Sequence, residues 1–130
     1  MEFTGERFVS SLTEPEISYE HWHRYLYTTR FVKDKVVLDI ACGEGYGSFL
    51  LSTSNAKKVI GVDIDEEAVR NARNSYKNSD LEFVNGDVTS IPIESNKIDV
   101  IISFETIEHI NEHQQKLFLL EIARVLKPDG

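Results

Sequence analysis

Three aspartates and one histidine stand where this chain could do chemistry: Asp39, Asp63, Asp87 and His109. Asp39 lies in the apolar run Val36-Val37-Leu38-Asp39-Ile40, which leads into Gly43, Gly45 and Gly47 at alternate positions. Asp63 follows Gly43 by twenty residues, at the end of a second apolar run. A strand, a glycine turn, a helix and an acid-tipped strand form a nucleotide-binding half of a Rossmann-type fold. An acid at Asp63 can accept both hydroxyls of a ribose diol. Glycines in the turn let a ligand lie against bare backbone, where a Cβ would collide with it. Asp87 follows Gly86, and turn chemistry alone could explain it. His109 ends Glu105-Thr106-Ile107-Glu108-His109. With an unperturbed pKa near ~6.5 it could take a proton from a hydroxyl. The segment could equally be a helix start whose polar groups serve packing and capping.

The elements that must position these groups follow from periodicity and turn signals. Tyr19 to Phe31 reads as an aromatic-rich helix with Trp22, Tyr25, Leu26 and Thr29 on one face. Residues 1–18 read as an irregular lead-in. Strands are expected at Val36–Ile40, Lys58–Val62, Leu81–Val84 and Ile98–Ser103. Helices are expected from Tyr46 to Thr53 and from an Asp65 N-cap to about Lys77, with Ala68, Val69, Ala72 and Tyr76 inward. The last helix starts at an Asn111–Gln114 capping box and buries Phe118, Ile122, Val125 and Leu126. Lys127-Pro128-Asp129-Gly130 stops it. Strands alternating with helices predict a parallel sheet with helices on both faces. Right-handed crossovers give the strand order 3-2-1-4. Asp39, Asp63, Asp87 and Phe104 then fall at the carboxyl ends of the strands, beside the switch point where ligands bind.

Composition excludes several classes. The 130 residues suit one domain, and 41% hydrophobic with 28% charged residues is a globular balance. A net charge of −8 argues against nonspecific nucleic-acid binding, which needs Lys and Arg to neutralise phosphates. Cys42 is the single cysteine, so no intrachain disulfide forms, and a small buried residue is favoured over a nucleophile. No apolar run approaches the ~20 residues of a membrane span, and Met1–Arg7 lacks a signal-peptide core. A cytoplasmic protein is expected. His21 and His23 lie two apart and fall on different helix faces, which disfavours a zinc site.

At this point the chain resembles the class I S-adenosylmethionine-dependent methyltransferases over about residues 36–130. Asp39–Gly47 resembles their first motif, Gly61–Asp65 the second, Asn85–Val88 the third and Asp99–Glu105 the fourth. Leu126–Gly130 resembles the turn before strand 5. Thr4–Val9 followed by Glu20–Tyr25 resembles the lead-in of bacterial methyltransferases often associated with glycan or secondary-metabolite pathways. The chain then divides into a lead-in and cofactor-covering helix over 1–35 and a partial cofactor-binding domain over 36–130.

The resemblance implies S-adenosylmethionine as cofactor, and roles residue by residue. The Gly43-Gly45-Gly47 loop passes under the methionine part, and Ala41 joins it in cofactor binding. Asp39 holds the ammonium group through water. Asp63 takes the ribose hydroxyls, Ile64 packs on the adenine face, Asp87 accepts from the adenine amino group and the Val88 amide addresses the ring. Phe104 contacts the methionine part through backbone atoms. Arg24 and Tyr25 lie on the helix that closes over the cofactor, near the methionine carboxylate. His109 is the candidate base toward a small-molecule or saccharide acceptor. A similar Glu-x-x-Glu-His pattern occurs in quinone-type O-methyltransferases with an implicated metal and in many relatives without one, so no metal is assigned.

A zwitterionic sulfonium ligand tolerates Asp39 and Glu44 near the loop, whereas the pyrophosphate of a dinucleotide would be repelled. A nicotinamide-dependent oxidoreductase is therefore the weaker alternative. A non-catalytic cofactor-binding module is the other. Complete members of the resembled fold carry three more strands after Gly130. Without them, strand 4 and the Phe118–Ile122–Val125 face lose cover, which predicts self-association through the strand 4 edge.

Overall fold

Four short apolar runs, the first three ended by glycine or aspartate turns, become four parallel strands. The computed structural model describes residues 15–104 and 106–130, with side chains from residue 22 onward. The lead-in Thr4–Val9, the His21 side chain and Glu105 lie outside the described residues. The order is α1 (Pro15–Thr28), a 3-10 turn (Thr29–Phe31), β1 (Val36–Ile40), α2 (Tyr46–Ser52), β2 (Lys58–Asp63) and α3 (Glu66–Ser75). Then follow β3 (Leu81–Asn85), β4 (Val100–Ser103), a second 3-10 turn (Ile107–His109) and α4 (Glu112–Val125). The sheet order is β3-β2-β1-β4, as the crossover rule predicts. Asp39 stands opposite Gly61 on one side and Ile102 on the other.

Strand alternation sends successive residues to opposite faces. On one face Leu38, Ile40, Ile60, Val62 and Ile98 meet Phe118 and Val125 of α4. On the other, Val37, Val59 and Ile102 meet Tyr25 of α1 and Leu51 of α2, while Phe83 meets Val69 and Ala72 of α3. Each fully buried Val, Leu or Ile contributes roughly 1.5–3 kcal/mol relative to exposure. Both α3 and α4 begin at the expected caps. Asp65 accepts from the Glu67 amide, and Asn111 and Gln114 form a reciprocal box.

The structure moves several expected boundaries. α1 begins at Pro15, inside the stretch read as irregular. α3 stops at Ser75, because Tyr76 takes extended dihedrals. β4 starts at Val100 rather than Ile98. The Ile98 amide donates to the Val125 carbonyl, and the Ile98 carbonyl accepts from Lys127, so the chain leaving α4 occupies that end of the outer edge. The expectation of an uncovered Phe118–Ile122–Val125 face is also corrected. Phe118 and Val125 are buried, and the exposed apolar residues of α4 are Leu119 and, at 66%, Leu120.

The opposite edge, β3, is partly occupied. The Asp80 carbonyl and Gly86 amide pair toward β2. By alternation, Leu81 and Phe83 turn their backbone groups away from β2. Arg73 of α3 donates from Nε and Nη2 to the Phe83 carbonyl at 3.0 and 2.8 Å, and the Leu81 amide donates to Asn78 at 3.1 Å. Among the described residues no helix is long and apolar enough to cross a membrane.

Candidate functional site

The turn after β1 is built by backbone that few residues adopt. Ala41 has φ +57°, a left-handed conformation uncommon outside glycine, and Gly43 and Gly45 follow at +58° and +94°. The turn is tied to the neighbouring strand. The Cys42 amide donates to the Val62 carbonyl at 3.1 Å, and the Gly43 amide to Asp63 Oδ2 at 2.8 Å. Asp63 Oδ1 accepts the Asp65 amide at 2.8 Å. Asn85 Nδ2 donates to the carbonyls of Asp63 and Ile64, fixing the turn that presents Ile64. Asp63 is thus more than a solvated acid at a strand end.

At Gly45 and Gly47 the protein's own packing also demands glycine. A Cβ at Gly45 would lie 2.7 Å from the Phe83 ring and 2.8 Å from Ala72. A Cβ at Gly47 would lie 2.0 Å from the Tyr25 ring. At both positions the colliding neighbour is the protein's own side chain. Glu44 is also turned to the protein, accepting from Asn71 of α3 at 2.8 Å.

Alternation along β1 places Asp39 on the α1 and α2 face, fully buried. Ser48 donates to Oδ2 at 2.6 Å, and the Tyr25 hydroxyl lies 3.1 Å from each oxygen. Burial pushes the Asp39 carboxyl up to about 7. The two hydroxyls pull it down, and Asp63 adds to the rise. Burial foremost, then Asp39, pushes the Tyr25 hydroxyl and the Cys42 thiol well up. Tyr25 also meets Phe104 edge-on at 5.2 Å, and Trp22 meets Tyr46 of α2 at the same centroid distance. α1 therefore sits directly on the turn.

Beside this cluster, at the carboxyl ends of the strands, lies a crevice of about 320 Å³. Its lining includes Ala41, Asp63, Ile64, Asp87 and Val88 from the strand ends, together with His109. Ile64, 70% exposed, gives it an apolar platform. Asp87 Oδ1 accepts the Thr89 amide and hydroxyl at 2.9 and 2.8 Å, and its second oxygen takes no hydrogen bond from the described residues. Tyr25, Asp39, Gly47 and Phe104 form the adjoining cluster and do not line the crevice. Gly43 and Gly45 lie in the turn between, and Arg24 is half-buried on α1.

Sequence reasoning missed Ser48 as the partner of Asp39. Its one signal is a polar residue on the inward face of a short helix. Thr106, Ile110 and Gln114 also line the crevice. Gln114 was legible only as a cap residue, and Asp65 only as an N-cap. Among the described residues no group of His, Cys, Asp and Glu is placed to hold a metal ion.

A family model described as a methyltransferase domain matches residues 37–130. The chain is 34% identical over 129 residues to a Mycolicibacterium smegmatis protein named a probable S-adenosylmethionine-dependent methyltransferase, covering 98% of this chain and 48% of that protein. It is 29% identical over 118 residues to the phthiotriol/phenolphthiotriol dimycocerosates methyltransferase of Mycobacterium tuberculosis, covering 90% and 43%. A solved protein of Pyrococcus horikoshii OT3 superposes with a TM-score of 0.78 at 34% identity, covering 92% of this chain and 57% of that one. A SAM dependent methyltransferase from Aquifex aeolicus superposes with a TM-score of 0.68 at 28% identity, covering 82% and 58%. The chain spans about half the length of the curated relatives it matches.

Proposed function

Because the chain belongs to the methyltransferase-domain family, we propose that it is the cofactor-binding portion of an S-adenosylmethionine-dependent methyltransferase acting on a small-molecule or glycan-type acceptor. The observation that carries this reading is the convergence of Asp63, Ile64, Asp87 and Val88 on one crevice beside the β1 turn. These residues fit an adenosyl group. Asp63 offers a carboxylate to a diol, Ile64 an apolar surface to a ring, and Asp87 an acceptor to an exocyclic amine. Asp39 suits an ammonium group by charge, and Tyr25 stands over it. A ligand that reaches Asp39 directly displaces the Tyr25 hydroxyl. Arg24 would serve the methionine carboxylate, the Gly43–Gly47 backbone the methionine part, and Ala41 and Phe104 its two flanks.

S-adenosylmethionine supplies a methyl group already activated by a positively charged sulfur. The chain's part is alignment and exclusion of water. In this reading His109, on the crevice wall, takes the proton from a hydroxyl acceptor. The acceptor class rests on the resemblance of the segment around Glu20–Tyr25. A cytoplasmic setting belongs to the same proposal, and the single cysteine fits a reducing compartment without requiring one.

Calorimetry with S-adenosylhomocysteine, ATP and NAD tests the reading. S-adenosylhomocysteine is expected to bind and NAD to give no heat. Tighter binding of NAD than of S-adenosylhomocysteine would overturn it in favour of an oxidoreductase.

A further inference from the structure

The crevice has two walls of different origin. The strand ends supply Ala41, Asp63, Ile64, Asp87 and Val88, while the turn after β4 and the first turn of α4 supply Thr106, His109, Ile110 and Gln114. Gln114 has a second duty. Its Oε1 accepts the Asn111 amide at 3.0 Å, and Asn111 Oδ1 accepts the Gln114 amide at 2.8 Å. A carboxamide nitrogen cannot accept from a backbone N–H, so the cap decides which end of the side chain is which. The end that remains for the crevice is Nε2, a donor. Asp87 is fixed in the opposite sense. Thr89 occupies Oδ1, and the carboxylate can only accept.

A side-chain donor and a side-chain acceptor in a lining that includes Ile64, Val88 and Ile110 are the chemistry that the edge of adenine takes. Its amino group donates, and its unprotonated ring nitrogens accept. The crevice volume of about 320 Å³ lies at the low end for small-molecule sites, which suits the nucleoside part of a larger ligand. We propose that Gln114 is a specificity-determining residue that donates from Nε2 to a purine ring nitrogen of the adenosyl ligand. The proposal rests on the adenosyl reading of the crevice. It gives the α4 capping box a role in ligand recognition: the same side chain that starts the helix reads the base.

Calorimetry with S-adenosylhomocysteine on three variants tests it. Gln114→Glu keeps an acceptor for the Asn111 amide and removes both amide hydrogens. It should bind roughly 5- to 10-fold more weakly, the scale of one lost hydrogen bond, with an unchanged thermal midpoint. Gln114→Met, neutral and without a donor, should lose as much. Asn111→Ala weakens the helix start but leaves the donor, so its thermal midpoint should fall while affinity stays at the wild-type value. Wild-type affinity in either Gln114 variant overturns the proposal. So does an equal loss in Asn111→Ala, which would trace the effect to the cap. Failure of the wild-type protein to bind S-adenosylhomocysteine overturns the adenosyl reading, and the role of Gln114 falls with it.

Discussion

The carboxylate of Asp63 accepts the backbone amide of Gly43 at 2.8 Å, joining the end of β2 to the turn after β1. One residue thus shapes the turn and presents an acid to the crevice. Asp63→Ala is expected to weaken S-adenosylhomocysteine binding by ~1.5–3 kcal/mol, as for hydrogen bonds to a charged group. It should also lower stability by about 1–3 kcal/mol, since two amides lose their partner. Calorimetry and urea unfolding read the two effects separately. Unchanged binding would sink the ribose assignment.

Asp39 makes stability depend on pH. Its folded carboxyl titrates at about 7, while the unfolded carboxyl titrates near ~3.9. Between these values the folded chain holds one more proton than the unfolded chain. Stability therefore falls as pH rises from about 4 to about 7, and levels off above that. Tyr25, Ser48, Cys42 and Asp63 surround the group. Asp39→Asn should remove this slope. Urea midpoints at pH 5 and 7.5 that fall equally in the variant and the wild type would contradict the assignment.

Gly47 and Tyr25 should be energetically coupled, because a Cβ at Gly47 would lie 2.0 Å from the Tyr25 ring. Gly47→Ala is expected to destabilise by about 1–3 kcal/mol through overpacking. In the Tyr25→Ala background the same substitution should cost less, with a coupling of about 0.5–3 kcal/mol. Tyr25→Phe keeps the ring and should give no relief. Strict additivity with Tyr25→Ala would show that the collision relaxes elsewhere.

His109→Ala separates base from bystander. In an active form of the protein, turnover should drop ~10²-fold or more, while S-adenosylhomocysteine affinity, His109 being one wall residue of the crevice, should fall far less. Wild-type turnover would favour the reading of Ile107–His109 as a packing turn.

The outer edge of β4 is expected to pair with a second chain. The Asp99 amide donates to Val36, so by alternation Val100 and Ile102 turn their backbone groups outward. Sedimentation should show a dimer or larger species in the micromolar range. A stable, well-folded monomer at high micromolar concentration would mean that the cover supplied by Val125–Lys127 is enough.

The sheet order, the four strands and both capped helices were legible because each is written locally: apolar runs, glycine turns, Asp65, and Asn111 with Gln114. The candidate ligands at strand ends were legible for the same reason, since topology alone puts strand ends together. What was not legible depends on which side chains fill a space. Nothing in the sequence says that Tyr25 and Ser48 close over Asp39, or that Gly45 and Gly47 make room for Phe83 and Tyr25. The start of β4 was misplaced because Ile98 pairs with Val125 and Lys127, a contact made only once α4 has packed.

Arg73 sets a limit on how many chains can join. Its guanidinium holds the Phe83 carbonyl, and Asn78 holds the Leu81 amide, so the β3 edge is partly closed to an incoming strand. Growth of a continuous sheet needs two adhesive edges per chain, one at each end. Among the described residues β4 is the more open of the two edges. Two chains that meet there consume each other's open edge around a twofold axis and present partly closed β3 edges outward. Strand-mediated assembly is then expected to favour pairs over extended sheets, and fibres would show that the remaining outward groups of β3 are enough to extend one.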